Sequence, residues 1–572
     1  MLGNGFSFST IAYANPVGGS VVSGAISIQE NGKQLDVFQS TDKGIIDWRS
    51  FSIGADEITR FHQPSPSSLT LNRVLGPDPS SILGRLEANG QIMLVNPNGV
   101  IFGHNSRVDV SGIVATTTDI RNEDFLNGTL DFSIASGNLG ASVENYGRIT
   151  IADTGYAALV APSVRNSGVI AARLGRVTLG AAETFTVDLY GDNLITFGIG
   201  VRETPTDSNG SPVEALVGNA GAIVADGGII HLAASNVGAV VQSVINTDGV
   251  IQANTIDTQG GEIVLGYSGP GVTRVSGKLL AVGDDAGEAG GGVKVLGEYV
   301  GLFDSAVVDA SGDSGGGEVL VGGNFQGKGS ERNATATYVS PDAEINASAN
   351  TNGDGGRVIV WADEVTNFDG FIAASGGVGG GDGGFVEISG KQSLSYRGQV
   401  DLSAAQGEGG TILFDPKNIT IANGGAGNTN TNLFAESSAA DITFDANQIT
   451  AIMNVGTNVL LQANTDITIN EDILATAGGA NGRLFLDAGR SILINASIFT
   501  DNARLRMEAN SDAATGANRD AGAAVITQAA GTTLNTGTNT LIAFMENATG
   551  KTNRTSGDIT LDVVSGGNIL ID

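Results

Sequence analysis

Carboxylate side chains are the groups in this sequence that come closest to catalytic chemistry. The 572 residues include 60 Asp and Glu against 29 Lys and Arg, which gives a net charge of −31. Paired carboxylates with a basic or metal partner act as acid and base in enzymes that cleave polysaccharides. Most carboxylates of this chain, however, stand beside glycine at apparent turns, where solvation alone explains them. We therefore predict that the chain is not an enzyme, and keep a polysaccharide-acting lyase or glycosidase as the alternative.

Residue types that bind metals or cofactors are scarce. The three histidines, His62, His104 and His231, are far apart in the sequence and lack the spacing of metal ligands, and the chain has no cysteine. The run GGVGGGDGG at residues 376–384 resembles one irregular copy of a calcium-binding repeat, but no tandem copies accompany it, so we interpret it as a flexible corner. We expect no metal, no cofactor and no disulfide.

The charge of the chain narrows the range of partners. A strongly anionic protein is repelled by phosphate backbones and by anionic lipid head groups, so nucleic acid is not an expected partner. No stretch approaches 18 consecutive apolar residues, so we expect no transmembrane helix.

Short strand-like segments that end in Gly, Asn or Asp recur along the whole chain. One recurring unit is Asn-x-Gly followed by an apolar pair, and it begins at Asn145, Asn166 and Asn219, with a variant at Asn246. A second unit places glycine directly before a strand of alternating polarity. We take the last glycine before each of these strands to be Gly261, Gly292, Gly317, Gly356, Gly384 and Gly410. Alternation of this kind indicates a strand with one buried face.

One such unit cannot bury its apolar face alone, but stacked copies share a core and pair their backbone edges. Glycine, at 85 of 572 residues, supplies the tight corners, and Val, Ile, Leu and Ala fill a narrow core. The sequence therefore predicts an all-β chain that folds as a parallel β-helix. Helical periodicity is rare, and residues 433–453 are the best candidate for a helix.

The stretch LVNPNGVIFG, residues 94–103, contains a turn that can be predicted residue by residue. Asn96, Pro97, Asn98 and Gly99 match the four positions of a type I β-turn. The Asn96 side chain can also accept a hydrogen bond from the N–H two residues on, which stiffens the turn. The stretch predicts strand, turn and strand.

The segment around this turn, FHQPSPSSLTLNRVLGPDPSSILGRLEANGQIMLVNPNGVIFG at residues 61–103, resembles the secretion domain of the filamentous haemagglutinin family. Members of this family are the exported partners in two-partner secretion of Gram-negative bacteria. The resemblance extends back through ANPVGGSVVSGAISI and forward to about residue 200, and it continues more loosely into the glycine-rich repeats.

The resemblance implies an N-terminal β-helical domain that binds the periplasmic modules of a dedicated outer-membrane β-barrel transporter. The chain then crosses the outer membrane, folds outside as a right-handed parallel β-helix, and is secreted or displayed on the cell surface. In the family the NPNG turn belongs to the secretion signal, which maps to Asn96, Pro97, Asn98 and Gly99. Some members carry an upstream NPNL motif, where this chain has TLNRV with Asn72 and Arg73. The turn either is read by the transporter or templates the first coils.

The resemblance also implies an adhesin or haemagglutinin-like role, with a glycan or protein on a host or another surface as receptor. Residues 1–14 end in Ala12-Tyr13-Ala14 and are expected to be the end of a signal peptide. We expect the secretion domain at 15–250, glycine-rich β-helix repeats at 251–420, and degenerate repeats at 421–572 that continue or are truncated. The alternative function is a secreted polysaccharide-acting enzyme.

Overall fold

The computed structural model describes residues 15–138, 140–188, 195–207, 210–424, 441–477, 482–512, 519–547 and 555–572. The chain divides into two compact units, Met1–Gly249 and Val250–Asp572. The expected signal-peptide end at residues 1–14 lies outside the described residues.

The first unit is built from short strands and one short helix, α1 (Asn122–Asn127). Its strands are β1 (Ser20–Ser23), β2 (Ile26–Asn31), β3 (Gln34–Gln39), β4 (Lys43–Trp48), β5 (Ile58–His62), β6 (Leu69–Val74), β7 (Ser80–Ile82), β8 (Arg85–Val95), β9 (Val100–Phe102), β10 (Arg107–Thr116), β11 (Leu130–Phe132), β12 (Ser142–Asn145), β13 (Arg148–Ala161), β14 (Ser163–Asn166), β15 (Val169–Ala171), β16 (Arg176–Ala181), β17 (Phe185–Val187), β18 (Ile195–Phe197), β19 (Ala215–Asn219), β20 (Ala222–Val224), β21 (Ile229–Ser235) and β22 (Ser243–Thr247).

Antiparallel strands begin the first unit, and parallel coils follow. Strand β1 pairs with β4 and β2 pairs with β3, both antiparallel. Parallel pairing then runs from β3 to β5 to β8 and on through β10, β13, β16 and β21. A second parallel sheet contains β7, β9, β12, β14, β19 and β22 in that order. The antiparallel start covers the open edge that a solenoid would otherwise expose at its first coil.

An extra layer covers part of the outer surface of these coils. Strands β11, β17 and β18 form a small antiparallel sheet, in which the rings of Phe132 and Phe185 stack with centroids 4.6 Å apart. Helix α1 adds the fully buried Phe125 to the same cluster. The Lys43 ammonium group donates to the carbonyl oxygens of Phe125 and Leu126 at 3.0 and 2.8 Å, at the C-terminal end of the helix, where a cation is favourable.

Buried asparagines form a ladder through consecutive coils of the first unit. Asn145 Nδ2 donates to Asn166 Oδ1 at 2.8 Å, and Asn166 Nδ2 donates to Asn219 Oδ1 at 2.8 Å. The next member is Thr247, whose hydroxyl accepts from Asn219 Nδ2 at 3.2 Å. The repeat alignment that placed Asn246 in this series is therefore wrong by one residue, because Asn246 pairs with Gly218.

The described residues of the second unit contain short strands, one 3₁₀ turn (Phe325–Gly327) and one helix, α2 (Ala446–Asn454). Its strands are β23 (Val250–Gln252), β24 (Glu262–Ser268), β25 (Val272–Val275), β26 (Lys278–Leu280), β27 (Gly292–Val295), β28 (Tyr299–Leu302), β29 (Val307–Asp309), β30 (Glu318–Val321), β31 (Ala336–Val339), β32 (Glu344–Asn346), β33 (Arg357–Ala362), β34 (Val365–Phe368), β35 (Phe371–Ala373), β36 (Phe385–Gly390), β37 (Ser393–Tyr396), β38 (Gln399–Asp401), β39 (Thr411–Phe414), β40 (Asn418–Ile421), β41 (Asp441–Phe444), β42 (Asn458–Ala463), β43 (Ile467–Ile469), β44 (Ile473–Leu474), β45 (Leu484–Ala488), β46 (Ile492–Ile494), β47 (Ile498–Phe499), β48 (Leu505–Ala509), β49 (Ala523–Gln528), β50 (Thr533–Asn535), β51 (Thr540–Met545), β52 (Thr555–Thr560), β53 (Val563–Ser565) and β54 (Asn568–Ile571).

Every strand pair of this unit whose register is described is parallel, and each coil adds one strand to each of its sheets. One sheet runs from β24 through β27, β30, β33, β36 and β39 to β42. A second contains β25, β28, β31, β34 and β37. The predicted all-β parallel β-helix is confirmed. Among the described residues, no helix has the length and apolar character needed to cross a membrane.

A column of stacked glycines marks one corner of these coils. The column consists of Gly291, Gly317, Gly356, Gly384 and Gly410. The N–H of each donates to a carbonyl oxygen earlier in the chain, as Gly317 does to Ala310 at 2.7 Å. A Cβ on these glycines would overlap the carbonyl oxygen of the glycine in the preceding coil. The glycine in contact with Gly261 is Gly291, since Gly292 already begins strand β27, so the alignment that used Gly292 is wrong by one position.

The predicted helix at residues 433–453 is only partly correct. Residues 433–440 lie outside the described residues, and the remainder contains strand β41 followed by helix α2. Asp445 caps this helix, because its side chain accepts from Asn447 N at 2.9 Å and its own N–H donates to Gln448 Oε1 at 3.0 Å.

Candidate functional site around the Asn-Pro-Asn-Gly turn

The predicted turn lies between the end of β8 and the start of β9. Gly99 N donates to the Asn96 carbonyl oxygen at 3.0 Å, which closes the turn, and Asn98 N donates to Asn96 Oδ1 at 2.9 Å. Gly99 has a φ of +113°, and a Cβ there would lie 3.0 Å from the Ser142 carbonyl oxygen. Glycine is therefore required at this position by both backbone conformation and space. The structure confirms the strand, turn and strand.

The two asparagine side chains join the turn to the segment that precedes strand β8. Asn96 is fully buried, and its Nδ2 donates to the Asp78 carbonyl oxygen and to Ser80 Oγ, both at 3.0 Å. Asn98 Nδ2 donates to the Gly76 carbonyl oxygen at 3.1 Å. Both carboxamides are thus engaged within the folded unit, and their hydrogen bonds hold two consecutive coils in register.

Only the two central residues of the turn are partly accessible. Pro97 and Asn98 are half-buried, whereas Asn96 and Gly99 are buried. The Pro97 carbonyl oxygen accepts a hydrogen bond from Ser136 Oγ at 2.7 Å, so its backbone is covered from one side. A partner that meets the folded turn can contact the pyrrolidine ring of Pro97 and the outer part of Asn98.

Asn72 lies on strand β6, beside the last residues of β8. It pairs with Leu94, and its side chain is fully buried inside the coil. Asn72 Oδ1 accepts a hydrogen bond from Trp48 Nε1 at 3.0 Å. This bond satisfies the indole N–H of a tryptophan that is itself 1% exposed, so the folded role of Asn72 is internal.

Arg73 pairs with Val95, directly before the turn, and its guanidinium joins three segments. Its Nε lies 2.9 Å from both carboxylate oxygens of Asp119, Nη1 donates to Asp47 Oδ1 at 3.1 Å, and Nη2 donates to the Ile120 carbonyl oxygen at 2.7 Å. The Arg73 side chain is 12% exposed. The structure therefore brings all six predicted residues into one neighbourhood. Four of their side chains form internal hydrogen bonds, those of Asn72, Arg73, Asn96 and Asn98.

Comparison with known proteins places this neighbourhood in a family. The TPS secretion domain family matches residues 12–278. The crystal structure of the HMW1 secretion domain from Haemophilus influenzae matches with a TM-score of 0.58 and 30% identity, over 69% of this chain and 99% of that one. The chain belongs to the two-partner secretion family. This finding confirms the resemblance seen in the sequence.

Two curated relatives match a shorter part of this chain. Both carry the name Heme/hemopexin-binding protein and come from Haemophilus influenzae. One is 42% identical over 105 residues, which is 18% of this chain and 12% of the relative. The other is 38% identical over 117 residues, which is 20% of this chain and 13% of the relative. The matched region thus spans about an eighth of these relatives.

The residues that hold the secretion domain's turn in place are mostly ones that the sequence did not point to. Asp47, Asp119 and Thr116 are distant in sequence from Asn96 and belong to no local motif. Thr116 accepts the Asn96 N–H at 3.0 Å through its carbonyl oxygen, a backbone contact that leaves no trace in residue type. The sequence did contain one signal for this neighbourhood, namely Trp48, which is one of two tryptophans in the chain.

Groups suited to acid–base chemistry lie in the second unit, away from the secretion domain's turn in sequence. Burial raises the pKa of Glu387 to about 7, and burial raises the pKa of Asp415 to about 7 as well. Glu387 is fully buried, and its Oε2 accepts from Gln326 N in the 3₁₀ turn at 3.0 Å. Within the described ranges, no three His, Asp or Glu side chains are grouped so that they could hold a metal ion.

Proposed function

We propose that the chain is an exoprotein that crosses the outer membrane through a partner β-barrel transporter and acts as an adhesin. The observation that carries the proposal is the family match at residues 12–278, together with 99% coverage of the HMW1 secretion domain. The protein is then secreted or displayed on the surface of a Gram-negative cell. Its role is non-enzymatic, and its receptor is a glycan or protein on another surface.

The proposed transporter contact uses the periplasmic modules of the transporter and the region of the turn. The residues involved are Asn72, Arg73, Asn96, Pro97, Asn98 and Gly99. Their burial supports two separate roles. The half-buried Pro97 and Asn98 contact the transporter, and the remaining four residues hold the turn in position. The turn thus contributes both to recognition and to templating of the first coils.

Folding outside the cell can drive such export without ATP. A coil added to an existing coil gains ladder hydrogen bonds and a shared core, whereas a first coil alone does not repay its ordering entropy. The antiparallel strands β1 to β4 and the clamped turn supply the first template. Each later coil then makes return through the transporter less favourable. The domain order proposed is a secretion domain at 15–250, glycine-rich repeats at 251–420 and degenerate repeats at 421–572.

Heme and hemopexin are not part of the proposal. The two relatives carry these ligands in their names, but the match covers only 12% and 13% of those proteins. A ligand bound by the rest of a relative gives no support for the same ligand here.

Single substitutions in the turn test recognition against folding. The chain is co-expressed with its transporter, and secretion is compared with the urea midpoint of the purified variants. Pro97→Ala and Asn98→Ala should lower secretion about tenfold and shift the free energy of unfolding by about 1 kcal/mol or less. Asn96→Ala should lower both, because it removes the three hydrogen bonds that the Asn96 side chain forms with Asp78, Ser80 and Asn98. Asn105→Ala, at an exposed turn residue, is the matched control. Secretion that falls only in proportion to stability across all variants would contradict the recognition role.

Incubation with polysaccharides tests the non-enzymatic role. The purified chain is mixed with pectin, glucans and chitin-type polymers, and reducing ends and unsaturated products are measured over time. We expect no release above the rate of a heat-denatured sample. Reproducible release that is lost in a Glu387→Gln variant would favour the secreted polysaccharide-acting enzyme instead.

A further inference from the structure

A polar groove crosses the outer surface of the first unit. Its floor is formed by four adjacent parallel strands, β12, β14, β19 and β22, and it encloses about 500 Å³. Residues 206–207 and 211–215 form one wall, and the backbone of that wall is closed by the Asp207 N–H, which donates to the Ser211 carbonyl oxygen at 2.8 Å. A groove of this size accommodates a ligand of several rings.

The groove floor carries one row of outward-facing positions in register. Glu144 pairs with Arg165, Arg165 pairs with Gly218, and Gly218 pairs with Asn246. The row therefore presents a carboxylate, a guanidinium, a gap and a carboxamide to the groove. Planar polar groups in this combination donate and accept paired hydrogen bonds to vicinal hydroxyls.

Three members of the row are either fixed in orientation or left without a polar partner. The Glu144 carboxylate accepts from Ser142 Oγ at 2.8 Å and from Tyr146 Oη at 2.6 Å, which fixes its orientation before any ligand arrives. The Oδ1 atom of Asn246 is buried beneath the groove surface and has no hydrogen-bond partner within the described part of the chain. The side chain can therefore rotate toward a ligand without breaking a hydrogen bond to that oxygen. Arg165 is exposed and forms no ion pair with any other described residue.

Gly218 leaves the centre of the floor open. A Cβ at this position would meet only Arg165 Cγ within 4 Å, at 3.9 Å, so the glycine is not required by backbone packing. Its φ is not in the left-handed region either. The open space lies between the guanidinium and the carboxamide, where a ring can rest on the sheet.

The charge of the groove limits the ligand class. Glu144, Asp207, Glu214 and Asp248 line it beside the single cation Arg165. Anionic ligands are repelled by this excess of carboxylates. A ligand rich in hydroxyl groups can both donate to the carboxylates and accept from the Arg165 guanidinium, whereas a polycation has no acceptor for that guanidinium. We propose that the groove over Glu144, Arg165, Gly218 and Asn246 binds a neutral oligosaccharide. The proposal rests on the adhesin role described above and gives it a receptor class.

Binding by the purified full chain tests the proposal directly. The chain is screened against an array of neutral oligosaccharides, sialylated and sulfated oligosaccharides, and oligolysine, and the best neutral binder is titrated by calorimetry. Arg165→Ala, which removes the row's donor, and Gly218→Leu, which fills the floor, should each weaken binding at least tenfold. Arg148→Ala changes an exposed arginine outside the groove and should leave the affinity unchanged.

Thermal unfolding of each variant shows that the fold is retained, since neither changed side chain is packed in the core. Failure to bind any neutral oligosaccharide, preferential binding of oligolysine or of sulfated sugars, or full affinity in Gly218→Leu would overturn the proposal. The measurement uses purified protein, so a failure of transporter-dependent export would leave it unaffected. Both groove variants should also be secreted as efficiently as the parent chain, which separates the groove from the secretion signal.

Discussion

Buried carboxamides have a different role from exposed ones in this chain. Asn96, Asn145, Asn166 and Asn219 lie inside the first unit, and the hydrogen bonds described for them reach neighbouring coils. A buried amide that loses its partner keeps its desolvation cost, which makes each of these positions sensitive to substitution. They also fix the register, because a slip of one residue would separate the ladder partners.

Asn166→Ala tests the ladder at its centre. The change leaves Asn145 Nδ2 without its acceptor and Asn219 Oδ1 without its donor, so the free energy of unfolding of the first unit should fall by about 2–4 kcal/mol. Urea unfolding, followed by the fluorescence of Trp48 in a Trp361→Phe background, measures the change. Asn495→Ala, followed by Trp361 fluorescence in a Trp48→Phe background, is the control, because Asn495 donates to Asn470 over the same 2.8 Å but both residues are exposed. A loss of stability below about 0.5 kcal/mol would show that the buried ladder does not stabilise the first unit.

Glu387 makes the stability of the second unit depend on pH. Burial raises its pKa from 4.5 to about 7, so the native state holds a proton that the unfolded chain releases. The stabilisation is complete below about pH 4.5 and is lost as the pH rises through 7. Glu387→Gln removes this titrating group. The free energy of unfolding of the variant, relative to that of the parent chain, should therefore be higher at pH 8 than at pH 4.5 by on the order of 3 kcal/mol. Trp361 fluorescence during urea unfolding measures the free energies of variant and parent at both pH values. A variant-minus-parent difference that is the same at pH 8 and at pH 4.5 would contradict the prediction.

The strands and corners of the coils could be predicted from short sequence patterns. Glycine followed by alternating polarity gave the strands of the second unit, because period-two burial is a local property. The exact register needed the structure. Thr247 rather than Asn246 enters the ladder, since it keeps the two-residue distance to Gly249 that Asn219 keeps to Gly221.

The outer layer and the long-range contacts that hold the turn in place could not be predicted in the same way. The stacked rings of Phe132 and Phe185 are 53 residues apart, and each lies in a strand of three residues. No local period marks such a strand as one that covers the outside of a coil. The NPNG turn itself was predictable because its four residue types each satisfy a position, but Arg73's partners Asp47 and Asp119 were not.

Two adjacent glycines test the corner column. Gly291→Ala places a Cβ against the Gly261 carbonyl oxygen and should lower the free energy of unfolding of the second unit by about 2 kcal/mol or more. Gly292→Ala meets only Glu262 Cγ at 3.8 Å, so it should be neutral or stabilise by up to about 1 kcal/mol through the unfolded state. Urea midpoints of the two variants give the comparison, and equal losses would show that the column is not what requires glycine.

At the scale of the whole molecule, family membership and fold support one account of how the chain reaches its site of action. In this proposed account the secretion domain supplies a template, and parallel coils then add one at a time, each on the one before. Such growth needs no long-range search once the first coils exist. It also requires that the coils stay unfolded until the chain has passed the transporter.

Export in the presence and absence of the transporter tests this account most directly. The chain is expressed in a Gram-negative host with an active transporter or with one whose periplasmic modules are deleted, and the protein outside the cells is quantified and treated with protease. The account predicts that the chain appears outside, in a protease-resistant form, only with the intact transporter, and that the deletion leaves less than about a tenth of it. Equal amounts outside the cells in both strains would contradict two-partner export.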